Sequence, residues 1–383
     1  MNKQETYNKI HPFLATIKER TLLCKAGSQK CTYHIVLDIQ GSGLRYNVGD
    51  SLGVFPLNNL NLIEKTLIAA KASGEEVVVD RNGEEISFRN FLHSKANITE
   101  FSKKFISVVL ERQSLPFKRK ILENLLQEDN REQLKQYMED RELWEVLHEN
   151  EEVTFTAQEL SSLLMPLLPR LYSISSSQLV VGDEVHLTIA LTRYQTLGIE
   201  RQGVCTHYLC CDCPIGEPVV PIYIQPHHGF TLPESEEAPI IMVGPGTGIA
   251  PFRAFLQERL HKKHVGKNWL FFGEWTKNGE YFYEEEWLKL EGEGQLKLHL
   301  AFSRDQATKI YVQHRMLENG LEIFQWLEQG AYLFVCGDAK YMAKDVELAL
   351  IEIIKQYGHL DNDQAKLYLK RLRAEKRYLR DVY

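Results

Sequence analysis

The 383 residues include 45 basic and 52 acidic side chains, for a net charge of −7, with 44% hydrophobic and 25% charged residues. That is apolar material enough for two or three cores, and charge spread without long blocks gives no reason to expect a nucleic acid or an anionic membrane as partner. The opening residues, Met1 to Asn8, lack the apolar core of a signal peptide, and no apolar run of about 18 residues suggests a membrane span, so the chain reads as cytoplasmic. Its seven cysteines then read as reduced thiols rather than a disulfide framework. Cys205, Cys210, Cys211 and Cys213 lie close together but lack a second ligand pair at ordinary spacing, and no metal is expected.

In chain order, Phe13 to Lys18 and Cys31 to Asp38 are β-rich, with turns marked by Gly41, Gly43 and Gly49-Asp50; a small antiparallel barrel begins here. From Asn58 to about Asn150 the pattern is helical, with Leu62, Ile63, Leu67 and Ile68, then Ile121, Leu125, Leu126 and Leu134, at helix spacing. Its charged runs read as solvated faces, and no chemistry is assigned to it. The β character returns over 170–225, where Val185 to Tyr194 reads as one strand and Pro218 to Ile224 as another, Pro221 placing the latter at an edge or bulge. From residue 239 onward, short apolar strands (Ile240–Val243, Trp269–Phe272, Leu296–Phe302, Tyr332–Val335) alternate with helices, which predicts a parallel sheet covered by helices. The fold class is therefore α+β and multidomain. An antiparallel β-barrel over 10–57 and 151–232 is split by an inserted helical connecting subdomain over 58–150, and an α/β parallel-sheet domain follows over 233–383.

Certain stretches are suited to chemistry. Arg170-Leu171-Tyr172-Ser173, followed by Ile-Ser-Ser-Ser177, puts a fixed cation, a flat aromatic and several hydroxyls on one segment, which is equipment for holding a flavin. In an extended strand Arg170 and Tyr172 would point to one side and Leu171 and Ser173 to the other. Alone, the octet reads more simply as a surface strand with an ordinary arginine. Gly244-Pro-Gly246-Thr247-Gly248 follows a strand and opens a helix, where glycines let backbone amides approach a pyrophosphate and the helix terminus adds partial positive charge. Ser303-Arg304, with Lys309, Tyr311 and Gln313 soon after, sits at the carboxyl end of a later strand, where open α/β sheets bind ligands. Cations there suit the additional phosphate of NADPH, although Arg304-Asp305 could also be a solvated loop. Cys336-Gly337-Asp338 ends the next strand at the same edge. The closing Arg377-Tyr-Leu-Arg-Asp-Val-Tyr383 is more aromatic than a solvated tail requires.

Arg170 to Ser173, Gly203-Val-Cys-Thr206, Gly244 to Arg253, Ser303-Arg304, Lys309-Ile-Tyr-Val-Gln313, Cys336-Gly-Asp338 and Asp381-Val-Tyr383 occur in one order over nearly the whole chain. Together they resemble the FAD and NADPH half of the diflavin reductases, within the ferredoxin NADP reductase superfamily, and in particular its sulfite reductase flavoprotein branch. The resemblance implies FAD on the barrel and NADPH on the α/β domain. Arg170 would hold the FAD pyrophosphate, Leu171 and Tyr172 would belong to the stretch against the flavin, and Ser173 would hydrogen-bond near its N5. Thr188, Ile189, Ala190 and Tyr194 would border the FAD nucleotide portion, and Gly203, Val204, Cys205 and Thr206 would bind the diphosphate. Cys205 stands where many relatives carry Ala or Ser, so its side chain is expected to be dispensable.

On the nicotinamide side, Gly246, Thr247 and Gly248 would meet the pyrophosphate. Ser303, Arg304, Lys309, Ile310, Tyr311, Val312 and Gln313 would read the 2′-phosphate and adenosine, and Asp345 matches a further NADP-binding position. Tyr383 would stack over the flavin and swing away, while Ser173, Cys336 and Asp381 would be the catalytic trio around the reacting carbons. The implied activity is an NADPH-dependent FAD reductase. The family's FMN domain, of about 150 residues, does not precede this barrel, so electrons are expected to pass to a separate acceptor: a flavodoxin, a ferredoxin, an FMN protein or a sulfite reductase hemoprotein. The alternatives are a flavoprotein component of sulfite reductase itself, serving hydrogen sulfide formation, and a flavin-binding scaffold without turnover.

Overall fold

The computed structural model describes residues 7–227 and 229–383; most of the opening stretch read for a signal peptide, residues 1–6, lies outside them. Strands β1 (Phe13–Leu22), β2 (Thr32–Asp38), β3 (Ser51–Val54), β4 (Arg170–Ser173), β5 (Glu184–Ala190) and β6 (Pro218–Gln225) form a six-stranded sheet in the order β4-β3-β6-β1-β2-β5. β1 runs antiparallel to β6 and β2, and β2 antiparallel to β5. Just past β4, Ile174 bridges to Leu187 of β5, and Ser175 N donates to His186 O at 2.8 Å. The two ends of the sheet thus meet, closing the barrel and removing its edges. Ala15, Ile17, Ile35, Leu37, Leu187, Ile189, Val220 and Ile222 are buried at every second position and fill the interior.

Two strand expectations need correction. Val185 to Tyr194 is not one strand: β5 stops at Ala190, Leu191 N donates to Cys31 O, and Arg193–Thr196 pairs instead with Ile199–Gln202. Leu197 and Gly198, with φ of 49° and 78°, form the left-handed two-residue turn that joins them. The strand containing Pro221 lies inside the sheet between β3 and β1, not at an edge. Its register does shift, Ala15 facing Val220 and Thr16 facing Pro218, which is the bulge expected near a residue without an N–H.

β7 (Ile240–Val243), β8 (Asn268–Glu274), β9 (Lys297–Phe302), β10 (Tyr332–Gly337) and β11 (Tyr378–Val382) form a parallel sheet in the order β9-β8-β7-β10-β11. Alternate residues feed two cores: Ile241, Val243, Trp269, Phe271, Leu333 and Val335 enter one, and Ile240, Met242, Leu270, Phe272, Phe334 and Cys336 the other. Strands buried on both faces need continuous apolar runs, which is why β7, β8 and β10 were legible; the edge strand β9 showed itself by its alternating Leu298, Leu300 and Phe302. β11 was not legible, because Arg380 and Asp381 interrupt it.

By contact density the chain forms two compact units, one of Met1–Gly53, Leu171–Leu191 and Pro214–Tyr383, the other of Val54–Arg170 and Thr192–Cys213. The second is mainly helical, and its helices continue past residue 150 through Ala157–Leu163. Asn59, Ser87, Ser102 and Thr156 cap helix starts with side-chain acceptors, and Ile63, Leu67, Phe88, Phe91, Phe105 and Val146 build its core. Arg201 of the hairpin is buried in this unit with Nη1 3.0 Å from Glu142 and Nη2 2.6 Å from Glu145.

In the first unit, barrel and parallel sheet are joined through Tyr283. Its hydroxyl lies 3.0 Å from His34 Nδ1 and 2.6 Å from Thr188 Oγ1, and the Arg253 guanidinium stands 4.8 Å over its ring while donating to Ser175 O. Burial, then the charges of Arg253 and His186, lower the His34 pKa from 6.5 to about 3. The folded protein therefore refuses a proton that the unfolded chain accepts. Full stability is present above about pH 6.5 and falls as pH drops toward 3, by up to about 1.4 kcal/mol per pH unit from this one ring. His34→Gln should flatten that part of the profile in denaturant melts across the acid range; an unchanged slope would contradict the buried, neutral ring.

Candidate active site

The parallel strands deliver their functional residues at one edge, the carboxyl ends. Cys336 of β10 and Asp381 of β11 are register partners, with Cys336 Sγ 3.9 Å from Asp381 Oδ2. Ser173, the last residue of barrel strand β4, donates its hydroxyl to the same Oδ2 at 2.7 Å. The expected trio is thus assembled from residues as far apart in sequence as 173 and 381. Cys336 is fully buried, and burial, followed by the Asp381 charge, raises its pKa well above the usual thiol value. It is a neutral S–H at physiological pH and not a thiolate. His227, which sequence reasoning did not select, brings Nε2 to 3.8 Å from Asp381 Oδ1.

The glycine turn lies beside this trio. Gly246 has φ of +61°, and a β-carbon on Gly248 would stand 2.1 Å from Cys336 O, so the turn packs its backbone directly on the end of β10. Thr247 Oγ1 is 2.9 Å from the Tyr383 hydroxyl, and the Tyr383 backbone is tied down by Tyr383 N to Gly337 O at 3.1 Å and Ala339 N to Tyr383 O at 3.0 Å. The Tyr383 ring remains largely exposed.

Beyond the turn opens a cavity of about 570 Å³ lined by Gly246, Glu274, Trp275, Ser303, Arg304, Lys309, Tyr311, Val312, Gln313, Asp345 and Lys30. That volume is in the range of small-ligand sites. Ser303 is buried, its N–H on Glu274 O at 2.8 Å. Arg304, Lys309 and Tyr311 are exposed; Val312 is buried, Ile310 half-buried, and Gln313 Nε2 donates to Asp345 Oδ2 at 3.3 Å. The sequence-selected residues on this side therefore share one cavity, apart from Thr247 and Gly248 at the turn behind it and Ile310 on its flank. Lys30, Glu274 and Trp275 were not selected. Glu274 and Trp275 close β8 at the ligand edge, a signal that the strand-end rule could have caught, but nothing in sequence brings Lys30 here.

Among the remaining candidates, Arg170 and Leu171 are exposed and Tyr172 is half-buried. Thr188 and Ile189 are buried, Thr188 on Tyr283, and Ala190 is exposed. In the helical unit, Tyr194 is half-exposed. There Gly203 leads into a helical turn, Val204–His207, where Thr206 Oγ1 donates to Gly203 O at 3.1 Å and accepts from Thr192 N at 3.2 Å; Cys205 is buried. A β-carbon on Gly203 would meet Thr206 Oγ1 at 2.8 Å and Thr192 Cβ at 2.9 Å. Gly203 has no room for a side chain, and the φ of +61° at Gly246 disfavours one; turns of bare backbone like these can approach phosphates closely, so these residues suit FAD and a nicotinamide dinucleotide.

A barrel with the Arg170–Ser173 stretch, followed by a parallel sheet with a glycine turn and a cationic cavity, is the architecture of a chain that binds a flavin and a nicotinamide dinucleotide. The chain belongs to the FAD binding domain family, which residues 5–208 match; residues 242–348 match the oxidoreductase NAD-binding domain. It is 41% identical over 382 residues to the sulfite reductase [NADPH] flavoprotein alpha-component of Bacillus subtilis, covering 99% of this chain and 62% of that protein. It is 43% identical over 379 residues to the protein of the same name in Vibrio cholerae, covering 98% and 60%. The chain thus spans about 60% of the length of the curated relatives it matches. No helix among the described residues is long and apolar enough to cross a membrane.

Gly248→Ala is expected to destabilise the protein by about 1–3 kcal/mol, because its β-carbon has no room against the Cys336 carbonyl. Urea unfolding of the FAD-loaded protein measures this, and an unshifted midpoint would refute the packing.

Proposed function

We propose that the chain is an NADPH-dependent FAD reductase that passes electrons to a separate acceptor. The observation that carries the reading is the Ser173–Asp381–Cys336 cluster lying against a glycine turn that leads into the cationic cavity. When bound, FAD and NADPH supply the hydride chemistry. The chain's own groups orient and steady it. Ser173 Oγ, donating to Asp381 Oδ2, fixes the carboxylate, whose charge opposes positive charge developing on the nicotinamide ring. The Cys336 thiol stays protonated and fills the floor beside it. Tyr383, held through Thr247, would shield the flavin that the nicotinamide must reach. Arg170, Tyr172, Thr206 and the Gly203 turn hold FAD, while Arg304, Lys309, Tyr311 and Gln313 hold the phosphorylated adenosine; in this reading 233–383 is the NADP domain.

The acceptor is a redox protein, whether a flavodoxin, a ferredoxin, an FMN protein or a hemoprotein. The relatives' name, alpha-component of a sulfite reductase, favours a second reading in which this chain serves sulfite reduction. Sulfite-dependent NADPH oxidation on adding a hemoprotein component would support it, and its absence would leave the general reductase.

The deciding experiment is anaerobic titration of the FAD-loaded protein with NADPH and separately NADH. Stoichiometric bleaching by NADPH with little by NADH is expected; intact flavin absorbance under excess NADPH, with FAD bound, would instead make the chain a scaffold. Replacing both Arg304 and Lys309 with alanine should weaken NADPH by about 10²-fold, since each loses a charge-assisted contact, and NADH far less. Equal losses for the two nucleotides in steady-state kinetics would refute the 2′-phosphate assignment.

A further inference from the structure

The cavity wall contains a ring that none of the phosphate-reading motifs includes. Trp275 follows β8 directly, and its carbonyl accepts from Arg304 N at 2.7 Å. The Arg304 guanidinium carbon stands 3.2 Å from the centroid of the half-buried indole, and Lys30 Nζ stands 4.4 Å from the same centroid. Two cations therefore rest on one aromatic side chain at the mouth of the site.

Lys30 comes from the barrel, on the connection between β1 and β2, and that connection is pinned to the segment after β8. Lys25 N donates to Gly279 O at 2.8 Å, and Ser28 Oγ donates to the Glu280 carboxylate. Lys30 Nζ reaches both Glu274 oxygens, at 2.9 and 2.7 Å. Glu274 is buried and lies at the glycine turn, its Oε1 3.5 Å from where a Gly246 β-carbon would stand. A bare carboxylate there would repel an incoming diphosphate, and the ammonium of Lys30 cancels it. Arg304, by contrast, is exposed, and a free arginine would lose its rotamer freedom on meeting a phosphate. The indole holds the guanidinium in place beforehand, by stacking and by attraction to the ring face.

We propose that Trp275 is a specificity-determining positioning residue for the 2′-phosphate of NADPH, holding Arg304 ready for that group. The proposal rests on the NADPH reading above.

The test is calorimetric binding to the FAD-loaded full chain, so its readout is independent of turnover. The probes are adenosine 2′,5′-bisphosphate against 5′-AMP, and NADP⁺ against NAD⁺. Trp275→Leu should weaken the bisphosphate about three- to tenfold and leave 5′-AMP within about twofold. Trp275→Phe, which restores an aromatic face, should recover most of the loss and guards against a mere folding defect, as FAD content and melting temperature report directly. If wild-type protein binds bisphosphate and AMP equally, the NADPH reading fails and the proposal with it. If wild type discriminates and Trp275→Leu discriminates as well, the Trp275 role alone is overturned.

Discussion

The hydrogen bond from Ser173 Oγ to Asp381 Oδ2 is a demanding constraint, because its two ends belong to different sheets. Ser173 ends a barrel strand and Asp381 lies in the outermost strand of the parallel sheet. At 2.7 Å it tolerates little relative displacement of the two sheets. The contacts that fix their relation are accordingly polar and at least partly buried: Tyr283 between His34 and Thr188, and Arg253 reaching Ser175 O. The carboxylate in turn orders Cys336, and the end of β10 seats the glycine turn. Removal of any one of these would loosen groups that must meet within ångströms for hydride transfer.

Charge is arranged locally in the same unit. The chain as a whole is acidic, yet the dinucleotide cavity gathers Lys30, Arg304 and Lys309. Acids are also present, and each carboxylate there is engaged by a neighbour. Glu274 holds Lys30, Asp345 accepts from Gln313, and Asp338 caps the helix that follows β10 through Tyr341 N and Met342 N. Net charge is thus no guide to the site, since interactions at contact distance outweigh the screened field of distant residues.

What could be read from sequence follows the same physics. Strands β7, β8 and β10 are buried on both faces and announce themselves as apolar runs, and the glycine turn is recognisable because only glycine permits the backbone contact at Gly248. β11 escaped notice because Arg380 and Asp381 serve the surface and the site instead of a core. The strand expected through Tyr194 broke because the turn at Leu197-Gly198 redirects it into a local hairpin. The trio was legible through family resemblance, since a serine, a cysteine and an aspartate so far apart carry no spacing signal of their own. Lys30 and His227 were invisible for a related reason: their relevance lies in contacts across the chain, and loop residues show no periodicity to betray them.

The order of strands in the barrel also governs how this protein can be made. β6, completed only at Gln225, sits between β3 and β1, so a chain emerging from the ribosome holds its barrel open between those two strands until that residue is free. β3 and β4 are separated by the helical segments, whose contacts are more local and carry a smaller loop-closure cost. Half-built, the barrel exposes the unpaired margins of β3 and β1, the kind of edge that invites pairing with another chain. The proline-bearing strand that fills this gap is therefore the keystone of the domain during synthesis as well as in the finished fold.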